Sequence, residues 1–262
     1  MRQNSLRTIW GEQGAALGGW LTFPSSASAE VMSHCGFDWV CVDMQHGLID
    51  YSEMVHMLQG ISSTDTVPLV RVPWNEQGII GKCLDAGAWG VIVPMVNSAE
   101  EARAAVSACR YAPSGSRSYG PLRANYYAGP DYFARANHEV TCIVMVETRV
   151  AIDNLDDIVS VPGVDAVYVG PADLSVTLGL PPAPDQPDQS FKDALARVID
   201  ACRRHDVVPG IAGNATTAPK RLQQGFRLVE VASDIGLLGL AARDALEQVR
   251  PTARPETTTA YL

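Results

Sequence analysis

Two carboxylate side chains follow two apolar segments of the chain, and together they are suited to bind a divalent metal ion. Glu147 ends the segment CIVMVE, and Asp173 follows the segment VDAVYVG. Both segments are rich in β-branched and apolar residues, as buried strands are. Since the carboxyl ends of neighbouring parallel strands meet at one edge of a sheet, the two carboxylates are expected to lie together. Hard oxygen ligands of this kind suit Mg²⁺, Mn²⁺ or Co²⁺.

A base and a cation follow two earlier apolar segments. His46 comes three residues after Asp43, at the end of FDWVCVDM, and Arg71 lies near the end of VPLVRVP. A histidine can act as a base near neutral pH, and Asp43 is close enough in sequence to orient its ring. The guanidinium of Arg71 can fork onto a carboxylate or a developing enolate oxygen. Together with the two carboxylates, these residue types favour a catalytic site.

Each of these residues also has a purely structural interpretation. Asp173 could be only the N-cap of the next helix, and Glu147 could cap the helix behind its own strand. His46 could be a hydrogen-bonded structural residue, and Arg71 could form a surface ion pair. Their joint position at the ends of successive predicted strands favours the chemical interpretation.

The segment around Gly170 predicts a strand, a tight turn and the start of a helix. Gly170 and Pro171 interrupt the apolar pattern, and a helical pattern begins near Asp173. Free backbone N–H groups and the positive end of the helix dipole at such a place can hold a ligand carboxylate beside a metal ion.

Eight alternating strand and helix patterns run along the chain. Apolar strands without two-residue hairpin signals predict a single-domain (β/α)8 TIM barrel, in which all these strand ends share one face. A doubly wound open sheet is the alternative, but no GxGxxG follows the first strand. The strands are expected at residues 15–23, 37–44, 67–73, 90–96, 142–147, 164–170, 207–213 and 226–233.

Length and composition fit one barrel. The chain has 262 residues, and we expect the barrel over residues 1–250 and a loose C-terminal tail over 251–262. Residues 111–137 are expected to form a long polar loop. In that loop Arg117 and Arg123 could reach an anionic substrate, although a solvated surface position is favoured.

Charge, hydropathy and cysteine usage exclude several classes of function. A formal net charge of −9 disfavours nucleic-acid binding. No apolar run reaches the ~18 residues of a membrane span, and the N-terminus lacks the apolar core of a secretory signal, so we expect a cytoplasmic protein. Six scattered cysteines without a CxxC motif are expected to be buried, reduced thiols.

Five segments resemble the class II, metal-dependent pyruvate aldolases of the 4-hydroxy-2-oxoheptanedioate aldolase family. That family includes 2-dehydro-3-deoxygalactarate aldolase and resembles macrophomate synthase. The similarity runs in order from about Gly18 to Ser233. The segments are DMQHG, VRVP, LDAGAWGVIVPMV, VMVET and VGPADLSVTLG.

The resemblance implies roles for the strand-end residues. Glu147 and Asp173 would be the metal ligands, and His46 the catalytic base, acting through or near a bound water. Arg71 would stabilise the enolate oxygen. The backbone N–H groups of Ala172 and Asp173, in the turn with Gly170 and Pro171, would hold the pyruvate carboxylate.

The resemblance also implies an assembly. Members are usually hexameric, and Asp85 would approach the site from a neighbouring subunit. Either Asp85 or Asp43 would then be the partner of His46. Many relatives have Glu where this chain has Gln45 and Gln where it has Met145, differences that bear on the substrate rather than on the reaction class.

The resemblance thus implies reversible aldol cleavage of 4-hydroxy-2-oxo acids to pyruvate, or an analogue such as hydroxypyruvate, and an aldehyde. No lysine stands at a promising strand end, which argues against a Schiff base. A 2-oxo acid decarboxylase or another enolate-forming lyase would use the same site. A barrel that only binds an oxo acid is the non-enzymatic alternative, but it would not need both His46 and Arg71.

Overall fold

Eight parallel strands close into a barrel in which each strand pairs with the next along the chain and the last pairs with the first. This confirms the predicted (β/α)8 architecture. The computed structural model describes residues 2–250, so the expected tail at 251–262 lies outside the described residues. The strands are β1 (Ala16–Leu21), β2 (Trp39–Asp43), β3 (Val67–Arg71), β4 (Gly90–Val93), β5 (Thr141–Met145), β6 (Ala166–Val169), β7 (Val208–Ile211) and β8 (Leu228–Ser233).

Helices connect the strands. The segment behind β5 is divided into two short helices at Asn154, whose dihedral angles leave the helical region. The helices are α1 (Ser5–Gly11), α2 (Ser26–Ser33), α3 (Tyr51–Ile61), α4 (Gln77–Asp85), α5 (Ala99–Cys109), α6 (Leu122–Ala128), α7 (Tyr132–Glu139), α8 (Arg149–Asp153), α9 (Leu155–Val159), α10 (Pro171–Thr177), α11 (Gln189–His205), α12 (Ala218–Gln224) and α13 (Asp234–Val249).

Large aromatic rings fill the barrel interior because glycines face them. A Cβ added to Gly18 would lie 2.0 Å from the ring of Trp39, and one added to Gly210 would lie 2.8 Å from the ring of Tyr168. The rings of Trp39 and Tyr168 meet edge to face, with centroids 6.4 Å apart. Small residues opposite large ones are how a barrel of this size packs its interior. The interior is therefore solid beneath the strand ends.

The prediction of a long loop at residues 111–137 was wrong. The segment contains α6 and most of α7, and α7 buries Tyr132, Ala136 and Glu139 against the domain. The sequence signal failed because each helix is short, with seven residues in α6 and eight in α7. Arg117, expected in solvent or at the substrate, is buried beneath this segment, with 4% of its surface exposed.

Other expectations were met in part. All six cysteines are free; Cys35 is exposed, whereas the other five are buried as predicted. Within residues 2–250, no helix is both long enough and apolar enough to cross a membrane. Helix α1 was not predicted; it begins after Asn4, whose side chain accepts a hydrogen bond from the N–H of Leu6.

Candidate active site

A paired aspartate and arginine stand at the adjacent ends of β2 and β3. Asp43 and Arg71 are partners in the strand register. Arg71 donates from Nε to Oδ1 of Asp43 at 2.8 Å and from Nη2 to Oδ2 at 2.6 Å. Burial acts to raise the pKa of Asp43, but the hydrogen bonds from Arg71 outweigh it, so this pKa lies below its usual value. The pair is therefore charged on both sides at neutral pH.

Trp20 on β1 contacts both members of this pair. Its Nε1 donates to Oδ2 of Asp43 at 3.2 Å, and the Arg71 guanidinium lies 5.0 Å from its ring centroid. The same ring stacks on Tyr168 with centroids 5.6 Å apart. Sequence reasoning missed Trp20. The available signal was a large amphipathic ring near the end of a predicted strand.

His46 lies just beyond β2, where Asp43 fixes the backbone. Oδ1 of Asp43 accepts hydrogen bonds from the N–H of Gln45 at 3.0 Å and from that of His46 at 3.3 Å. The contact that the structure shows is thus with the His46 backbone, and its side chain is exposed. The prediction that Asp43 orients the imidazole ring stays a prediction.

Asp85, the other predicted partner of His46, is paired within its own chain. Its Oδ1 accepts from Nη2 of Arg117 at 2.7 Å, and Arg117 also donates to the Tyr132 hydroxyl at 3.0 Å. Arg123 donates to the carbonyl oxygens of Ala86 and Leu58. Both arginines therefore bind groups of the protein, and neither is placed at the predicted substrate site. An approach of Asp85 to a neighbouring subunit stays a prediction.

Glu147 lies after β5 and is almost completely buried, with 2% of its surface exposed. Its Oε1 accepts from the N–H of Met95 at 2.8 Å. Met95 follows β4 and has a φ of 56°, in the left-handed region that non-glycine residues rarely adopt. Backbone strain of this kind is common where a chain presents one group to a functional site.

Asp173 brings a second negative charge to Glu147. Burial, and then the nearby carboxylate of Asp173, raise the pKa of Glu147 to about 7. Asp173 lies in the first turn of α10, where Gly170 rather than Asp173 is the N-cap, so the interpretation of Asp173 as a cap was wrong. A Cβ on Gly170 would lie 2.3 Å from Oε2 of Glu147. Only glycine leaves that oxygen unobstructed.

This pair of carboxylates fits a hard divalent cation. Within residues 2–250, the structure brings together no group of three or more His, Cys, Asp and Glu side chains that could hold a metal ion. A metal would therefore take two protein oxygens, from Glu147 and Asp173, and its remaining positions would be open to water and substrate. Two adjacent carboxylates, one with a raised pKa, are stabilised by such a charge.

The start of α10 adds hydrogen-bond donors beside these carboxylates. Pro171 occupies the first turn, and the N–H groups of Ala172 and Asp173 have no acceptor inside the helix because they precede its first complete turn. Pro171 is buried, whereas Asp173 is exposed. An anionic group bound here would meet backbone N–H donors.

Sequence reasoning also missed Glu230, a carboxyl on the inner wall of β8. The N–H of Gly213 donates to its Oε2 at 3.4 Å. Burial raises its pKa to about 8, while Gly213, Arg71 and Tyr168 act in the opposite direction. The available signal was a glutamate in the apolar segment FRLVEVAS, in register with Gly18, which faces the barrel interior.

Residues 17–240 match the family model described as HpcH/HpaI aldolase/citrate lyase. A hydroxypyruvate/pyruvate aldolase from Rhizorhabdus wittichii is 39% identical over 248 residues, which cover 94% of this chain and 99% of that relative. A 4-hydroxy-2-oxo-heptane-1,7-dioate aldolase from Escherichia coli is 37% identical over 244 residues, 92% of each chain. A crystal structure of a family protein from Burkholderia cenocepacia superposes with a TM-score of 0.88 at 34% identity, covering 94% of this chain and 99% of that one.

Proposed function

The chain belongs to the HpcH/HpaI aldolase/citrate lyase family, and from this membership we infer that it is a carbon–carbon lyase. It catalyses the reversible aldol cleavage of 4-hydroxy-2-oxo acids to pyruvate, or an analogue such as hydroxypyruvate, and an aldehyde. The observation that carries this function is the arrangement at one end of the barrel, where Arg71, which is bound to Asp43, and the carboxylate of Asp173 both act on the pKa of Glu147. Its substrates are small molecules.

We propose that the reaction is of class II and that Glu147 and Asp173 hold one divalent ion, Mg²⁺, Mn²⁺ or Co²⁺. When bound, the ion supplies Lewis-acid stabilisation of the negative charge that develops on the 2-oxo oxygen. The support for this assignment is the adjacency of the two carboxylates and the space that Gly170 leaves beside Oε2 of Glu147.

Arg71 and the first turn of α10 orient the oxo acid. Asp43 occupies Nε and Nη2 of Arg71, which leaves Nη1 to donate to the developing enolate oxygen. The N–H groups of Ala172 and Asp173 bind the carboxylate of pyruvate at the helix N-terminus. Gly170 and Pro171 set the path of that turn. These donors are fixed before substrate arrives, so little reorganisation is needed.

His46 handles the proton of the substrate hydroxyl. In cleavage, the imidazole accepts the proton of the 4-hydroxyl, directly or through a water molecule. The C3–C4 bond breaks, the C4–O group becomes the aldehyde, and the electron pair remains on the enolate of pyruvate. A proton then adds to C3 and completes pyruvate. Asp43 fixes the backbone of His46 and thereby the place from which the ring acts.

The direct test of the function is an assay for pyruvate released from 4-hydroxy-2-oxopentanoate, with lactate dehydrogenase as the coupling enzyme. We expect pyruvate and acetaldehyde in equal amounts from the metal-loaded protein. Glu147→Gln should abolish most of this activity, and the control Asp157→Asn, an exposed carboxylate on α9, should retain it. If the wild-type protein cleaves no 4-hydroxy-2-oxo acid, the proposed function is wrong.

We also propose a cytoplasmic homo-oligomer, with the hexamer as the expected form. Helix α13 supports an assembly because it exposes several large apolar side chains, which a monomer would leave in water. These are Ile235, Leu237, Leu238, Leu240, Leu246 and Val249. Light scattering at working concentration tests this proposal, and a protein that is fully active as a monomer would contradict it. The cytoplasmic location rests on the sequence alone.

A further inference from the structure

The loop between β4 and α5 places the N–H group that donates to Glu147. Met95 lies in this loop, and its N–H is 2.8 Å from Oε1 of Glu147. The φ of Met95 is 56°, in the left-handed region, which a residue with a side chain keeps only when surrounding contacts hold it there. The contacts that hold Met95 therefore decide where one oxygen of Glu147 lies.

The side chain of Asn97, two residues further along, binds the backbone of Met95. Its Nδ2 donates to the carbonyl oxygen of Met95 at 2.7 Å, and its Oδ1 accepts from the hydroxyl of Thr148. Thr148 is buried and directly follows Glu147. The Asn97 amide thus links the residue after Glu147 to the residue whose N–H binds Glu147. These contacts close into a ring that joins the loop after β4 to the loop after β5.

The backbone of Asn97 is held as firmly as its side chain. Its N–H donates to Oε2 of Glu101 at 2.6 Å, and its carbonyl oxygen accepts from Nδ2 of Asn154 at 2.8 Å. Glu101 belongs to the first turn of α5, and Asn154 lies at the junction of α8 and α9. All four polar groups of Asn97 therefore have partners within the fold, so the residue has one defined position relative to both loops.

A fixed Oε1 leaves the other oxygen of Glu147 turned towards α10. A Cβ on Gly170 would lie 2.3 Å from Oε2, so this oxygen faces the N-cap of α10. Asp173 lies in the first turn of the same helix. The hydrogen bond at Oε1 thus holds the carboxylate with Oε2 on the side of the second carboxylate. A ligand that is oriented before the ion arrives loses less freedom when the ion binds.

We propose that Asn97 is a positioning residue of the metal site. It holds Met95 in the left-handed conformation, the N–H of Met95 fixes Oε1 of Glu147, and Oε2 is thereby presented to the ion. This inference rests on the proposed metal-dependent function. Asn97 acts through Met95 and touches neither the ion nor the substrate.

The first test uses the metal-free protein and measures hydrogen–deuterium exchange at the Met95 amide by mass spectrometry of overlapping peptides. Asn97→Ala removes both hydrogen bonds of the side-chain amide. Without them the N–H of Met95 should leave Glu147 more often, and its exchange should become about tenfold faster, the equivalent of one hydrogen bond. Exchange in the metal-free protein does not depend on any catalysed reaction.

Asn137 offers a matched control at the other end of the barrel. Its Oδ1 accepts from the N–H of Tyr111 at 2.7 Å, and its Nδ2 donates to the carbonyl oxygen of Tyr111 at 3.0 Å. Like Asn97 it is half-buried, but it lies on α7, just before β5 begins. Asn137→Ala should therefore destabilise the protein to a similar extent, measured by urea unfolding, and leave the Met95 amide at the wild-type exchange rate.

The second test is calorimetric titration with Mn²⁺. Asn97→Ala should raise the metal dissociation constant about tenfold, as the loss of a group that orients a metal ligand does. Asn137→Ala should leave it unchanged. If Asn97→Ala does not fold, Asn97→Asp replaces it in both measurements, because the aspartate keeps an acceptor for Thr148 and loses only the donor to Met95.

A glycine at position 95 separates the proposed role from a general loss of packing. Glycine adopts a positive φ without the cost that a side chain imposes, so it needs less help from Asn97. In a Met95→Gly background, Asn97→Ala should raise the dissociation constant by less than about threefold. The same tenfold loss in both backgrounds would overturn the inference that Asn97 acts through the conformation of Met95.

Failure of this inference and failure of the proposed function give different results. Wild-type amide exchange and wild-type Mn²⁺ affinity in Asn97→Ala would show that Asn97 does not position Glu147, although metal binding and aldol cleavage persist. A wild-type protein that binds no Mn²⁺ would reject the metal-dependent function and the role of Asn97 at the ion together, even with the Met95 amide protected.

Discussion

Arg71 donates hydrogen bonds to both carboxylate oxygens of Asp43, with Nε 2.8 Å from Oδ1 and Nη2 2.6 Å from Oδ2. The two residues are register partners at the last positions of β3 and β2. The guanidinium is planar, and Asp43 accepts hydrogen bonds from two of its three nitrogens. The plane of the guanidinium is therefore fixed relative to the barrel. The Trp20 ring, 5.0 Å from the guanidinium, confines it further. The remaining nitrogen, Nη1, therefore has a defined direction.

Arg71→Lys should lose most of the activity although the charge is kept. An ammonium cannot bind both oxygens of Asp43 and at the same time donate in the direction of Nη1. We expect kcat to fall by ~10²-fold, as for the loss of one oriented donor to a developing oxyanion. Steady-state kinetics of pyruvate release measure this. The control Arg149→Lys changes an exposed arginine on α8 and should be neutral, and equal kcat values for Arg71→Lys and wild type would contradict the assigned role.

Removing the divalent metal should abolish the aldolase activity. We expect loss in excess chelator and recovery with Mn²⁺, Co²⁺ or Mg²⁺, because two carboxylates hold the ion and exchange is easy. Asp173→Asn should raise the metal dissociation constant in calorimetry, whereas Asp157→Asn should not. Borohydride added with pyruvate should leave activity intact. Covalent attachment of pyruvate to a lysine would instead establish Schiff-base chemistry.

Proton competition should make the affinity for metal depend on pH. Burial and the charge of Asp173 raise the pKa of Glu147 to about 7, and a protonated carboxyl is a poor ligand. The apparent affinity should therefore fall about tenfold per pH unit below that pKa and level off above it. Calorimetric titration of Mn²⁺ between pH 5.5 and pH 8 in steps of about half a unit measures the curve. An affinity independent of pH over that interval would contradict the raised pKa.

The free energy of unfolding of the metal-free protein should fall as pH rises towards 8. Glu230 has a pKa of about 8 in the folded protein, raised by burial, against about 4.3 in an unfolded chain. Between these values the folded state holds a proton that the unfolded state has released, so raising the pH favours unfolding by up to about 1.4 kcal/mol per unit for this group. Glu230→Gln removes that dependence.

Urea unfolding in the presence of chelator, at several pH values from about 5.5 to 8.5, tests this sign. The wild-type protein should lose stability relative to Glu230→Gln as the pH increases. The comparison isolates Glu230, because the two proteins share every other titratable group. Parallel curves for the two proteins would show that Glu230 is not protonated in the folded state.

The strand order and the strand-end residues could be predicted because they follow from local patterns. Apolar segments of four to six residues, each followed by a helix, define a barrel, and the barrel brings His46, Arg71, Glu147 and Asp173 to one face. No tertiary information is needed for that step. The N–H of Met95 at Glu147 could not be predicted, since it depends on an unusual φ after β4.

What the sequence missed depends on contacts across the barrel. Glu230 faces the barrel interior because β8 pairs with β1, and Trp20 belongs to the site because its Nε1 donates to Asp43. Neither contact has a signature in the order of residues. The burial of Arg117 is of the same kind, since Asp85 on α4 balances its charge and the Tyr132 hydroxyl on α7 accepts a hydrogen bond from it. Sequence periodicity predicts which face a residue occupies, but not its partner.

Isotope exchange can separate enolate formation from the cleavage step. If Arg71 serves the enolate and His46 mainly serves the 4-hydroxyl, solvent deuterium should enter the methyl group of pyruvate without any aldehyde. Arg71→Ala should lose that exchange, which NMR measures directly. His46→Ala should lose aldol cleavage by ~10²-fold or more, whatever its effect on exchange. The control His56→Ala, an exposed residue of α3, should lose neither.

Oxaloacetate decarboxylation completes the separation, because it forms the same enolate without a hydroxyl to deprotonate. His46→Ala should therefore impair decarboxylation far less than aldol cleavage, since only cleavage needs a base at the C4 oxygen. Equal losses in the two reactions would show that His46 serves enolate formation rather than deprotonation of the 4-hydroxyl. Absence of exchange in the metal-loaded wild-type protein, together with no cleavage, would leave a barrel that only binds an oxo acid, because enolate formation is the one step that both reactions share.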